Sequence, residues 1–161
     1  MTIPNWIEIV PPWLQVILLA MAPISELRGA IPLAVLHYHM NPYIIIPVII
    51  AANFLPVPFI LLFLRPVEDF LRRWEFWAKL MDRIFEHTRT KTRKRVERWE
   101  SLALILFVAI PLPVTGAWTG SLAAYLFALD FKKSLFFIFV GVCIAAAVVT
   151  TAVMAGITWF L

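Results

Sequence analysis

Apolar residues are grouped in four long blocks along this chain, separated by two short polar stretches and one long one. The blocks cover roughly residues 6–40, 42–64, 102–129 and 134–161. The second and fourth are long enough to cross about 30 Å of hydrocarbon as α-helices. Prolines and glycines interrupt the first and third near their middles, and each of these two blocks therefore predicts a pair of short helices.

Two topologies fit the broken blocks, which are interrupted by PISELRGAIP at Pro23–Pro32 and by PLPVTGAWTG at Pro111–Gly120. If the broken blocks cross the bilayer, the loop at 130–133 lies opposite the basic segment at 65–100. If they are re-entrant hairpins, which dip into the bilayer and return, both basic clusters lie on one side. The positive-inside rule favours the re-entrant hairpins.

The two halves of the chain resemble each other. A shift of 87 residues produces four identities, which are Ala22 with Ala109, Gly29-Ala30 with Gly116-Ala117, and Tyr38 with Tyr125. In each half an apolar segment, a Pro/Gly break and a second apolar segment precede a full span. A hairpin plus one span crosses the membrane an odd number of times, so the second copy is inverted. Inverted repeats with broken helices are typical of secondary transporters.

The pattern therefore predicts an all-α integral membrane protein with two inverted repeats. Each repeat is a re-entrant helical hairpin plus a transmembrane helix, and a cytoplasmic amphipathic helix joins them, because apolar residues in the linker recur at helical spacing. The predicted divisions are a first repeat at 1–64 (hairpin about 11–40, span 42–64), a basic linker at 65–100, and a second repeat at 101–161 (hairpin about 102–129, span 134–161).

Composition and charge agree with a membrane protein. Hydrophobic residues make up 62% of the 161 residues, and the mean hydropathy is +0.88. Eleven of the fourteen Lys and Arg lie between Arg65 and Arg98, which indicates membrane topology and anionic headgroups rather than nucleic acid. The single Cys143 excludes an intrachain disulfide. No cluster of metal ligands is visible, and we expect neither a metal nor a cofactor.

Glu26 and Arg28 are the leading candidates for a functional site. A charge inside hydrocarbon costs at least about 2.5 kcal/mol, so such residues usually line a cavity or pathway. Arg28 suits a phosphate or carboxylate, and Glu26 is either its counter-ion or a proton carrier. The alternative is a structural Glu–Arg pair that locks the hairpin. Each break also begins a half-helix whose positive end attracts anions, with Ser25 or Thr115 as its predicted cap.

Further candidates for substrate binding surround this pair. Asn53 is either a cavity wall or part of a kink that accommodates packing. The hydroxyls of Thr115, Thr119 and Ser121 either reach the site or form hydrogen bonds between helices. The Trp118 indole either caps the cavity or fills it. The complete set of predicted substrate-binding residues is Glu26, Arg28, Ser25, Gly29, Thr115, Gly116, Trp118, Thr119 and Asn53.

At these residues the chain resembles the small multi-drug export protein family of short prokaryotic membrane proteins. The matching motifs are Pro23–Pro32 and Pro111–Ala124, and the resemblance covers essentially the whole chain. The family name implies drug efflux, and the resemblance implies a prokaryotic cytoplasmic membrane. The expected protein is multi-pass, and the positive-inside rule predicts that 65–100 lies in the cytoplasm. The architecture is also similar to the DedA and VTT group, which implies lipid scrambling and recycling of polyprenyl-phosphate carriers, with Glu26 and Arg28 as the matching acid and base.

Three functions follow as expectations. The first is a secondary transporter or flippase that moves an anionic amphiphile, such as polyprenyl phosphate, through a site where the hairpins meet. The second is a proton-coupled small multidrug exporter, and the third is a membrane scaffold that transports nothing. An enzyme is not expected, because the chain has neither a Ser–His–Asp set nor a P-loop. Four apolar blocks form a small wall for a pathway, so we expect a homodimer.

Overall fold

A computed structural model describes residues 10–74, 96–112, 115–127 and 129–156. These residues contain no strand, which confirms the all-α fold class. The helices are α1 (Pro12–Met21), α2 (Glu26–Pro32) with a π-helical turn at Leu33–His37, α3 (Pro42–Phe54), α4 (Pro56–Leu71), α5 (Val96–Ala109), α6 (Ala117–Leu126) and α7 (Phe131–Met154).

Among the described residues, two helical stretches are long and apolar enough to cross a membrane. They are Pro42–Phe70, in which α3 and α4 follow each other almost directly, and Phe131–Met154. Large apolar side chains also face outwards from the helices, as Tyr43 at 89% and Phe63 at 64% exposure illustrate. Such an apolar surface is favourable in contact with the hydrocarbon core of a bilayer, as expected for a membrane protein.

Prolines set several of the helix boundaries. Pro12 and Pro42 occupy the first turns of α1 and α3, where a missing N–H costs no hydrogen bond. The Asn41 side chain caps α3 by accepting a hydrogen bond from the Tyr43 amide at 3.0 Å. At the end of α1, Ala22 is extended (ψ 137°) because Pro23 follows it and disfavours a helical conformation.

Helices α1 and α2, with the π-helical turn, fold back on each other as the first hairpin (residues 12–37). The Tyr38 hydroxyl donates to Gln15 Oε1 at 2.5 Å, so the two open ends of this hairpin are adjacent. At the other end, Ser25 Oγ donates to the Leu19 carbonyl at 2.9 Å. The turn that joins the two arms, together with the residues on either side of it (residues 21–28), is named the first tip.

Helices α5 and α6 form the second hairpin (residues 96–126). Gly120 packs against Val108 and Leu104 of the opposite arm, which runs antiparallel to it. The described residues between the arms and at the start of α6, residues 110–112 and 115–118, are named the second tip. Leu112 and Thr115 stabilise it, because the Leu112 amide donates to Thr115 Oγ1 at 3.1 Å. Each predicted Pro/Gly break is therefore a turn between two packed helices.

Both hairpins pack against both spans. Helix α1 packs on α3, and α5 packs on α7; α2 contacts α7, and α6 contacts α4. Alanines and valines fill the core between these helices, where a small side chain permits a close approach. Both arms of each hairpin contact the span of their own half, and the second arm also contacts the span of the other half.

The open end of the second hairpin lies beside the C-terminal part of α4. The Tyr125 hydroxyl donates to the Glu68 carboxylate, which also pairs with Arg72 at 2.7 Å. Helix α4 runs through Pro66 to Leu71, so it extends beyond the predicted end of the span at 64. The rest of the predicted amphipathic linker, residues 75–95, lies outside the described residues.

Candidate functional site

The tips of the two hairpins contact each other through hydrogen bonds. Arg28 Nη2 donates to the Thr115 carbonyl at 3.1 Å, and the Trp118 indole N–H donates to the Met21 carbonyl at 3.0 Å. Both acceptors are backbone carbonyls that turns leave without a helical partner. The side chains of one tip thus satisfy the backbone of the other, which irregular backbone surrounded by lipid requires.

Glu26 occupies the N-terminus of α6, a helix to which it is not joined in sequence. Its carboxylate accepts from the amide of Ala117 at 3.3 Å and from the amide of Trp118 at 3.4 Å. The residue is 5% exposed and has a positive φ of 45°, a conformation that is strained for a residue with a side chain. The first-turn amides of a helix are unpaired and carry partial positive charge, so a carboxylate is a favourable occupant.

Gly116 leaves the space in which this carboxylate lies. It is the N-cap of α6 and has a φ of 154°, which L side chains rarely adopt. A Cβ atom at this position would overlap Glu26 Oε2 and lie 2.5 Å from Glu26 Cδ. The two residues therefore fit together only because position 116 has no side chain.

The prediction that Ser25 or Thr115 caps a half-helix is wrong. Ser25 precedes α2 but makes no cap bond, because its hydroxyl donates back to α1. The Thr115 hydroxyl donates to the Ile110 carbonyl at 2.7 Å and closes the second tip on itself. The acceptor for the first turn of α6 comes from the other hairpin, as the Glu26 carboxylate.

Glu26 and Arg28 form no ion pair within 4 Å in the part of the chain that the structure describes. Each bonds to the backbone of the second hairpin instead, Glu26 as an acceptor and Arg28 as a donor. Their positions two residues apart on one helix turn the side chains towards different atoms of the opposite tip. Glu26 is accordingly not the direct partner of Arg28 in this conformation.

Asn53 is fully buried beside the first tip. Its Nδ2 donates to the Ala20 carbonyl at 2.9 Å, a group near the end of α1. Its Oδ1 accepts no hydrogen bond from any residue that the structure describes. Buried polar atoms almost always have a partner, so this oxygen marks a position where a donor is missing.

A cavity of about 10 Å³ lies between the tips, with room for roughly one water molecule. Four of the lining residues have polar or charged side chains, namely Glu26, Arg28, Asn53 and Thr115. The rest is mostly apolar, and α7 contributes one face at helical spacing. The lining residues are Glu26, Leu27, Arg28, Asn53, Val108, Pro111, Thr115, Gly116, Ala117, Val142, Ala145 and Val149.

Five of the nine predicted site residues line this cavity, and four do not. Ser25 and Gly29 pack against Leu19 inside the first hairpin. The Thr119 hydroxyl donates to the Gly116 carbonyl at 3.5 Å. Trp118 joins the two tips through its indole and donates its amide to Glu26.

Sequence reasoning did not identify the amide of Ala117 or the α7 face. The four-residue spacing of Ala145 and Val149 within a small-residue stretch was an available signal for that face.

In a comparison with known proteins, residues 26–148 match one family model. Its description reads "Putative small multi-drug export protein". The match covers the second tip, all but one of the residues that line the cavity, and most of α7. It confirms the resemblance found at the two motifs. No curated protein and no solved structure matches the chain.

Proposed function

The chain belongs to the small multi-drug export protein family, and we propose that it is a secondary transporter whose substrate site lies between the two hairpin tips. The proposed substrate is an anionic amphiphile, such as a phosphorylated lipid carrier of the polyprenyl phosphate type. The family description supports export or transport in general; the anionic substrate is argued from the site itself.

The state of Arg28 is the observation that carries this proposal. The guanidinium has five N–H donors and uses one of them, on the Thr115 carbonyl. It pairs with no carboxylate among the described residues. A fixed, forked cation of this kind binds phosphate or carboxylate through two parallel hydrogen bonds. The N-terminus of α6 lies beside it and adds the positive end of a helix dipole.

The conformation described here is closed, because a cavity of about 10 Å³ is too small for a phosphate group. Opening requires separation of the tips, which breaks the bonds of Arg28 to Thr115, Trp118 to Met21, and Glu26 to α6. Each contributes on the order of 1–3 kcal/mol. A bound substrate that replaces these bonds would offset most of that cost.

The packing pattern supports two inverted repeats. The contact of α2 with α7 has its counterpart in the contact of α6 with α4, and α1 on α3 corresponds to α5 on α7. Arg28 and Thr115, which contact each other, are also 87 residues apart. A residue near a two-fold axis contacts its own counterpart, so the proposed axis passes between these two. Inverted repeats of this kind hold substrate at the repeat interface.

The membrane arrangement is proposed on the same basis. Because the Tyr125–Glu68 bond joins the end of α6 to the end of α4, the basic cluster at 132–133 and the start of the basic linker lie at one end of the molecule. Re-entrant hairpins would put that end in the cytoplasm. Single cysteines at Asn41 and Asp130, in a Cys143→Ser background, test this: an impermeant thiol reagent applied outside should label Asn41→Cys alone.

Native mass spectrometry of the purified protein with farnesyl phosphate tests the substrate class. Wild type should retain farnesyl phosphate and not the uncharged farnesol, and Arg28→Ala should retain about tenfold less, as expected for a lost charge-assisted bond. Arg73→Ala is the matched control, since Arg73 lies over the Phe70 ring on α4, away from the tips. Equal retention by wild type and Arg28→Ala would contradict the proposal.

Export of cationic drugs is the second candidate function. It is favoured by one observation, the buried carboxylate of Glu26 in a mostly apolar surrounding. The same experiment with a lipophilic cation distinguishes the two. Retention that depends on Glu26 and not on Arg28 would support the exporter, whereas retention of neither probe would support a scaffold.

A further inference from the structure

Glu26 occupies a position that suits the anionic group of a ligand. Two first-turn amides of α6, those of Ala117 and Trp118, donate to its carboxylate, although the distances of 3.3 and 3.4 Å are long. Gly116 makes the approach possible because it has no side chain. The helix has no cap from its own sequence. Its N-terminus is therefore an anion site with a carboxylate of the same chain inside it.

Arg28 belongs to the same place. The carbonyl that it binds is that of Thr115, which lies two residues before the first residue of α6. An external anion that displaced Glu26 from the amides would thus meet the guanidinium at once. In the closed conformation both attractive groups are occupied internally, the amides by Glu26 and the guanidinium by a backbone carbonyl.

Asn53 offers Glu26 a second position. Its Oδ1 is buried, lines the same cavity as Glu26 and accepts no hydrogen bond from the described part of the chain. An ionised carboxylate cannot donate to this oxygen, but a protonated carboxyl can. Arg28 is the other charged residue that lines the cavity. The described lining from α5, α6 and α7 carries no titratable side chain.

We propose that a proton moves Glu26 between these two positions. Ionised Glu26 occupies the N-terminus of α6; protonated Glu26 donates to Asn53 Oδ1 and leaves the amides and Arg28 to the anionic group of the substrate. The inference rests on the proposed function, since it takes the substrate to be an anion. One proton and one substrate anion then bind together. The proton is therefore the coupling ion, and the change of position of Glu26 couples proton binding to substrate binding.

Binding of a decyl sulfonate to the full-length protein in an uncharged detergent tests this inference. The sulfonate keeps its charge over the whole pH range, so any pH dependence comes from the protein. Calorimetry in two buffers of different ionisation enthalpy measures the protons taken up. Wild type should take up about one proton per anion under alkaline conditions, and its affinity should fall about tenfold per pH unit there.

Variants at the two positions give opposite results. Glu26→Gln removes the ionised occupant, so it should bind the sulfonate without proton uptake, independently of pH, and more tightly than wild type under alkaline conditions. Because loss of a negative charge alone strengthens anion binding, the loss of proton uptake and of the pH dependence in this variant is the discriminating result. Asn53→Leu removes the acceptor and should weaken binding about tenfold. Gln15→Leu removes a carboxamide at the open end of the first hairpin, outside the cavity lining, and should bind the sulfonate as wild type does.

The outcomes separate this inference from the proposed function. If the sulfonate binds and Arg28→Ala weakens it, but no proton is taken up or Glu26→Gln binds no more tightly, the inference is wrong and the anion site stands. If wild type does not bind, or Arg28→Ala binds equally well, the proposed function itself fails. If Asn53→Leu does not fold, proton uptake by wild type and the affinity of Glu26→Gln for the sulfonate still test the inference.

Discussion

Gly116→Ala tests the fit between the two hairpins directly. The added Cβ would overlap Glu26 Oε2 and lie 2.5 Å from Cδ. No small shift of a flexible side-chain end relieves this, because the carboxylate is also held by the amides of Ala117 and Trp118. Glu26 must therefore leave the N-terminus of α6, and the first turn of that helix loses its acceptor.

The expected loss of stability follows from these contacts. Two hydrogen bonds to a charged group, both long, contribute together about 3 kcal/mol at the lower end of the usual range. The positive φ adds about 1 kcal/mol. For a chain of this length, roughly 4 kcal/mol lowers the melting temperature by about 10 °C. Thermal unfolding of the purified protein in mild detergent, followed by loss of the monodisperse chromatographic peak, measures this shift.

Gly156→Ala is the matched control for Gly116→Ala. Gly156 also has a positive φ, of 74°, but no atom lies within 4 Å of the position that its Cβ would take. This control should therefore cost only the backbone term, about 1 kcal/mol. In a Glu26→Ala background, Gly116→Ala should lower the stability by no more than Gly156→Ala does. Equal melting temperatures for the two single variants would refute the contact between Glu26 and α6.

Three further changes probe the rest of the structure. Trp118→Phe keeps an aromatic ring but loses the bond between the tips, and should lower stability by about 1 kcal/mol in the same thermal assay; no change would mean that the tips are held elsewhere. Gly120→Ala places a Cβ against Val108 Cγ2, so it should cost about 1–3 kcal/mol of stability. Val108→Ala removes that methyl group and should restore most of the loss; a loss that Val108→Ala leaves unchanged would contradict this packing. Ile24 is 90% exposed on the first tip. If the proposed homodimer covers that tip, Ile24→Cys in a Cys143→Ser background should form a disulfide cross-link to a second copy. Monomers alone after oxidation in membranes would exclude such an interface.

Much of the helical framework could be predicted because prolines act locally. Pro23 forces an extended residue before it, and Pro42 supplies a first-turn residue without an N–H. Such effects depend on one or two neighbours, which the sequence gives directly. The end of α4 was less predictable. The predicted span ends at 64 with the apolar block, yet α4 continues to Leu71, and Glu68 on its last turn pairs with Arg72 one turn further on.

The partner of Glu26 could not be predicted for a different physical reason. Sequence analysis pairs side chains with side chains, and Arg28, two residues away, was the obvious counter-ion. The actual donors are backbone amides of α6, which carry no residue identity and become available only because a helix begins at Ala117. The visible signal was Gly116, whose missing side chain admits a carboxylate from a distant segment. A glycine immediately before a helix without a cap therefore predicts an acceptor from elsewhere in the fold, and here that acceptor is the residue that the proposed proton would release.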